Sequence, residues 1–171
     1  ATFPQIKAVV GIVPSAFVFQ GIGDNPAMAK PQSSWSFHGQ DLPYVPFKFT
    51  REYGQAMQQS MQQHTPVALT PLHLYSIEQA GAAIREQATI QVERTQGPIL
   101  LISGQDDQLW PSGVLADTVM ERLEQHHFPY PYRHIKYQGA GHRMVIPYQP
   151  TTIEAGAAGS VTLLFGGNAQ S

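Results

Sequence analysis

Two stretches of the sequence hold the residue types that proton transfer uses. One is Ser103-Gly-Gln-Asp-Asp-Gln-Leu-Trp-Pro111 and the other is Gln138-Gly-Ala-Gly-His142. A carboxylate bonded to one nitrogen of an imidazole fixes its tautomer and stabilises the imidazolium, leaving the other nitrogen to take a proton from a nucleophile. Acid followed by histidine is one of the chain orders in which such triads occur. Of the two adjacent acids, Asp107 is the candidate. It completes Gly-x-x-Asp from Gly104 and is followed by x-x-Trp-Pro, an apolar residue and a helix-starting proline. Asp106 is then a turn residue. Glycines ahead of each candidate allow the chain to turn sharply enough for the side chain to project back over a sheet edge. Either stretch alone reads as ordinary loop; their order, their spacing of 35 residues and their position after strand-like segments single them out.

The nucleophile of such a triad is missing. No Gly-x-Ser-x-Gly elbow occurs, Ser15 in Val-Pro-Ser-Ala and Ser103 in Ile-Ser-Gly-Gln lack its flanking glycines, and there is no cysteine. The absence of cysteine also excludes disulfides and thiolate zinc sites within these residues. His126 and His127 close a helix, where a cation complements the dipole, and His134 reads as a satisfied sheet residue. His38, His64 and His73 lack partners at metal-ligand spacing, so neither a metal nor a cofactor is expected. The Met and aromatic residues between positions 17 and 61 read first as core and second as the lining of an apolar pocket.

The elements that must position Asp107 and His142 follow from pattern. Residues 6–13 (IKAVVGIV) are a continuous β-branched apolar run, suited to a strand buried on both faces of a parallel sheet. A long Pro-, Gly- and aromatic-rich excursion follows, and residues 15–75 are read as an insertion or lid, with a helix at 52–64. Residues 76–88 form a predicted helix with Ser76 as N-cap and Gln79 at the capping-box position. Residues 99–102 are a second strand, and residues 132–137 a third. Between them, residues 111–126 are the clearest helix: Val114, Leu115, Val119, Met120 and Leu123 repeat near a 3.6 period, and Pro129 and Pro131 stop it. Strands alternating with helices argue for an α/β fold with a parallel, doubly covered sheet. In such sheets sites gather at the carboxyl ends of the strands, where both candidate loops lie.

Bulk properties fit one soluble domain of 171 residues, with 42% hydrophobic residues and a net charge of −2. Only 13% of residues are charged, and with no run of either sign, electrostatics gives no case for nucleic acid or an anionic membrane as partner. No apolar stretch reaches the roughly 20 residues of a membrane span. The first ten residues lack a basic segment followed by an apolar one, so no signal peptide is read there, and a cytoplasmic location is the expectation. The start runs almost directly into a strand, as in a segment lying inside a larger protein.

From Gly97 onward the sequence is specific. GPILLISGQDDQLWPS, the helix carrying Glu121-Arg-Leu123, and YQGAGHRMVIPYQP closely resemble the C-terminal domain shared by acyl-CoA thioesterases and bile-acid-CoA:amino-acid N-acyltransferases. Upstream, IKAVVGIVPS resembles the strand after that family's nucleophile helix, and SFHGQDLPYVPF its insertion; downstream, LLFGGNAQS is similar to its penultimate segment. The resemblance implies the C-terminal half of an α/β-hydrolase fold, a single partial domain over 1–171 whose nucleophile half and last helix lie outside. It also implies an acyl-CoA substrate and a nucleophile–Asp–His mechanism, with Asp107 and His142 at the acid and base positions. The nucleophile is Ser in the thioesterases and Cys in the amidating enzymes, so hydrolysis and amide transfer both stay open. A dienelactone-hydrolase-like esterase or peptidase and a non-catalytic hydrolase-like module are the remaining alternatives. Strands without their preceding neighbours would leave an apolar edge, expected to pair with the missing N-terminal half or with a second copy.

Overall fold

A computed structural model describes residues 3, 5–22, 31–144, 155–158 and 161–168. Three strands form one parallel sheet, ordered β1 (Val9–Ile12), β4 (Ile99–Gly104), β5 (Tyr132–Tyr137). Two small antiparallel hairpins accompany it: β2 (Ser36–Phe37) with β3 (Gln40–Asp41), and β6 (Ala155–Ala158) with β7 (Val161–Leu164). The helices are α1 (Arg51–Gln63), α2 (Thr70–Gln79), α3 (Gly81–Ala88) and α4 (Ser112–Gln125). The fold is thus α/β, with a parallel sheet flanked by helices.

β1 is shorter than the apolar run that predicts it. Its pairing with β4 begins at Val9 opposite Ile99, where Pro98 leads into β4, so the partner's start sets its length. Register fixes the rest: Gly104 of β4 lies opposite Tyr137 of β5, so the two strands end level and their following loops leave side by side.

α4 crosses the sheet on Leu115, Ala116, Val119 and Leu123, all nearly inaccessible, an i, i+4, i+8 stripe with Ala116 beside it. Each large apolar side chain buried there contributes about 1.5–3 kcal/mol. Val114, expected on this face, instead points to solvent, because one residue of rotation carries it off the stripe. The helix ends in a Schellman turn: Phe128 N–H donates to Leu123 O, and His127 takes the left-handed conformation at φ 49°.

The helix expected to start at Ser76 starts at Thr70 instead, with Pro71 in its first turn. Ser76 is mid-helix, fully buried, and its hydroxyl accepts the Lys48 amide at 3.0 Å. The local N-cap is replaced by a distant one: Leu69 and Thr70 N–H both donate to Gln108 O, at 2.9 and 3.1 Å. A helix start leaves its first donors unsatisfied, and here the acid loop supplies the acceptor. Gly81, at φ +71°, then separates α2 from α3.

Part of the insertion is core. Phe17, Phe19 and Val45 are buried with Ile99, Leu101 and the α4 stripe, and Phe47 packs against them. Core packing therefore accounts for these aromatics, as the sequence favoured. Residues 23–30 of the insertion and 145–150 after His142 lie outside the described residues. So does the sequence after residue 168.

Candidate active site

Asp107 and His142 meet. The His142 Nδ1 lies 3.1 Å from Asp107 Oδ2 and 3.2 Å from Oδ1. A carboxylate only accepts, so Nδ1 carries the proton and Nε2 faces away from the acid. The Asp107 side chain is 1% exposed and that of His142 is 17% exposed. Asp107 Oδ1 also accepts the Leu109 amide at 3.0 Å and the Trp110 amide at 3.2 Å. The carboxylate is thereby held by its own loop before it reaches the imidazole. Asp106 points elsewhere: it accepts Gln108 Nε2 at 2.8 Å and the Gly167 amide at 2.9 Å.

The two loops approach so closely that glycine is required. A side chain at Gly104 would collide with the carbonyls of Ala140 and Gly141. Asp106 N–H donates to Ala140 O and Gln105 N–H to Tyr137 O, each at 3.0 Å, lacing one loop to the other.

Trp110 stands over the pair. Its ring meets His142 edge-to-face at 5.0 Å between centroids, and its indole N–H donates to Val13 O at 3.0 Å. Val13, just past β1, sits at φ 44°, a strained conformation for a β-branched residue. The end of β1 is thus tied to the acid loop through one indole.

His73, set aside in the sequence, belongs to this neighbourhood. It is buried on α2, its Nδ1 2.8 Å from Leu69 O, its ring edge-on to Phe19, Phe47 and Trp110. Burial pushes its pKa below the ordinary value, the Leu69 bond and the Asp107 charge oppose that, and His142 adds to it. The ring is therefore a neutral imidazole with Nδ1–H donated to Leu69. In the sequence it is only a residue of the insertion, ahead of the helix expected from Ser76; its proximity to residues 107 and 142 is a tertiary fact.

A second Ser–His–Asp arrangement sits beneath α4. Ser103 Oγ lies 2.7 Å from His134 Nε2, His134 Nδ1 3.1 Å from Asp117 Oδ1, and Lys136 Nζ 2.6 Å from Asp117 Oδ2. Burial separates this set from catalysis: Ser103 is fully inaccessible, so no substrate carbonyl can reach it. Its hydroxyl donates to a satisfied imidazole and fastens α4 to β4 and β5, in keeping with His134 as a sheet residue. Among the described residues no group of three His, Asp or Glu is placed to hold a metal.

The family model described as BAAT / acyl-CoA thioester hydrolase C terminal matches residues 1–171. The chain is similar to the peroxisomal succinyl-coenzyme A thioesterase of Mus musculus, 38% identical over 61 residues, which are 36% of this chain and 14% of that protein. It is 34% identical to acyl-coenzyme A amino acid N-acyltransferase 2 of Mus musculus over 84 residues, 49% of this chain and 20% of that protein. Against acyl-coenzyme A thioesterase 6 of Mus musculus it is 40% identical over 67 residues, 39% of this chain and 16% of that protein. The chain matches a fifth or less of the length of each of these relatives. Among the described residues no helix is long and apolar enough to cross a membrane.

Proposed function

The chain belongs to the BAAT / acyl-CoA thioester hydrolase C-terminal family, and from that premise we propose that Asp107 and His142 are the acid and base of a nucleophile–acid–base triad cleaving an acyl-CoA thioester. The observation that carries the reading is the grip of the buried Asp107 carboxylate on His142 Nδ1. It leaves Nε2 as the only nitrogen able to accept a proton from a nucleophile. On this reading the chain is one part of a larger catalytic domain, and the nucleophile lies outside these 171 residues.

Two half-reactions follow. His142 Nε2 takes the proton of the nucleophile, whose oxygen or sulfur bonds to the thioester carbon. The tetrahedral intermediate collapses with cleavage of the carbon–sulfur bond, and the imidazolium returns the proton to the CoA sulfur. Water, deprotonated by the same nitrogen, then attacks the acyl-enzyme; the acyl–nucleophile bond breaks, the imidazolium returns its proton to the nucleophile, and the carboxylic acid leaves. Asp107 stabilises the imidazolium in both halves. The second reading, transfer to an amine, differs only in the attacking group, and is favoured by the similarity to an amino acid N-acyltransferase.

The open side of the sheet fits the same picture. Val10 is 62% and Ile12 39% exposed, and β1 is paired only with β4 among the described residues. An apolar parallel strand bare on one edge invites pairing. The strand that carries the nucleophile, from the missing N-terminal half, is the proposed neighbour, with a second copy of the chain as the alternative.

The test is release of CoA thiol from an acyl-CoA series by the full-length polypeptide containing this chain, with and without an amino acid acceptor. His142→Ala is expected to lower kcat by about 10³-fold or more. A rate within tenfold of the unsubstituted protein would remove the triad assignment.

A further inference from the structure

We propose that residues 165–168 form a strap that holds the acid and base loops in register, with Asp106 as its positioning residue. The inference rests on the reading of Asp107 and His142 as acid and base, and extends it to residues that touch neither substrate nor imidazole.

The contacts are mutual and come from three separate segments. Phe165 O accepts the His142 amide at 2.8 Å and the Gln108 amide at 3.3 Å, bridging both loops with one carbonyl. Gly167 N–H donates to Asp106 Oδ2 at 2.9 Å, while Gln108 Nε2 donates to Asp106 Oδ1 at 2.8 Å. Asn168 N–H donates to Gly139 O at 3.0 Å, reaching the turn before His142. Packing leaves no room for a side chain between these backbones. A Cβ at Gly166, which sits at φ +74°, would collide with the Asp106 carbonyl, and one at Gly141 would collide with Gly166.

The strap is itself anchored. Leu164 N–H donates to Val67 O at 3.0 Å and Val67 N–H to Thr162 O at 2.9 Å, so β7 is bonded to the insertion immediately before the strap begins. Ser60 of α1 adds a hydroxyl contact to the Thr162 main chain at 3.3–3.4 Å. The main-chain position of His142 is therefore set by residues far along the sequence. Displacing a catalytic group by about 1 Å can cost on the order of 10²-fold in rate. The two carboxylates at 106 and 107 divide the work: one holds the imidazole, the other holds the segment that holds its backbone.

The experiment compares Asp106→Ala, Asp106→Asn and His142→Ala in the full-length polypeptide, reading kcat and KM for acyl-CoA and amide hydrogen exchange over residues 139–144. Asp106→Ala removes both acceptors and is expected to lower kcat by roughly 30- to 100-fold with KM within twofold. Asp106→Asn keeps one acceptor and is expected to recover to within roughly three- to tenfold of the parent. Exchange over residues 139–144 should speed up in the same order. Asp106→Ala with parental kcat, beside an inactive His142→Ala, overturns the strap and leaves the triad standing. If Asp106→Ala does not fold, parental kcat in Asp106→Asn overturns it equally. If His142→Ala is itself active, the triad reading fails, and unchanged exchange in either Asp106 variant then overturns the strap on its own.

Discussion

Replacing Asp107 by asparagine is the sharpest test of how the pair works, because the structure dictates which way the amide must face. Oδ1 accepts the Leu109 and Trp110 amides, at 3.0 and 3.2 Å. Only oxygen can satisfy those two donors, so the amide nitrogen takes the Oδ2 position, 3.1 Å from His142 Nδ1. An amide N–H there donates to Nδ1, while Oδ1, also 3.2 Å from Nδ1, is already engaged by the two backbone amides, so the proton moves to Nε2. The imidazole then presents a donor where a base is needed. A wrong tautomer in an intact triad geometry costs about 10⁴ in kcat, or about 5.5 kcal/mol of barrier at 1.36 kcal/mol per factor of ten.

Stability should move differently. Asp107→Asn keeps the two loop bonds and should melt close to the parent. Asp107→Ala leaves two donors without their acceptor in a partly buried turn, at up to about 1–3 kcal/mol for each group left unsatisfied. Thiol release and thermal melts on the full-length polypeptide separate the two effects. The expected pattern is an asparagine variant that is stable and inactive, beside an alanine variant that is less stable. An asparagine variant with kcat within tenfold of the parent would refute the tautomer argument, and one as unstable as alanine would refute the orientation argument.

Two further substitutions probe the frame around the site. Burial holds His73 below its ordinary value of 6.5, so the unfolded chain takes up a proton that the folded protein refuses. The contribution is complete above about pH 6.5 and is lost as pH falls towards the depressed folded value. His73→Phe, which suits the surrounding Phe19, Phe47 and Trp110, should flatten the dependence of melting temperature on pH between about 7 and 5; a slope equal to the parent's would count against a buried neutral imidazole. Glu93 accepts Arg122 Nε at 2.7 Å and Nη2 at 2.8 Å, a partly buried pair tying α4 to the chain before β4, and this bond holds the Glu93 carboxyl below its ordinary value of 4.5. Glu93→Gln should cost about 1.5–3 kcal/mol in denaturant unfolding at pH 7. The gap should narrow as pH falls through the lowered Glu93 value, where the parent also loses the charge; a gap independent of pH would contradict the ionic origin.

What the sequence disclosed is what local pattern encodes. The runs at 99–102 and 132–137, the α4 stripe, and the Asp107 and His142 loops all depend on neighbours within a few residues. The misses share a different cause. α2 starts six residues ahead of Ser76 because its first donors are satisfied by Gln108 O, which lies far along the chain. Local capping rules cannot register an acceptor delivered by another loop. β6 was missed because Ala-Gly-Ala-Ala has weak strand propensity and becomes a strand only by pairing with β7. The Ser103–His134 contact follows from register alone: Ser103 lies opposite Lys136, which places His134 two residues back on the same face. Given the strand pairing, that contact could have been read, and His73 could not.

The arrangement of the pair also bears on what any missing segment must contribute. Level strand ends bring the loops together, Gly104 lets their backbones touch, and the Leu109 and Trp110 amides aim the carboxylate. None of these contacts involves a residue outside the chain. On the proposed reading, the acid and base are therefore preorganised before a nucleophile is present, and the partner half has only to bring its nucleophile to Nε2. Such a site carries little reorganisation cost at the moment of reaction. The Trp110 indole bonded to Val13 O ties the acid loop to the end of β1, the strand whose free edge faces the proposed neighbour. Val13, at φ 44°, carries its backbone strain at the residue whose N–H is held by Ile102 O and whose carbonyl is held by the indole, two bonds that together can offset the cost of that conformation.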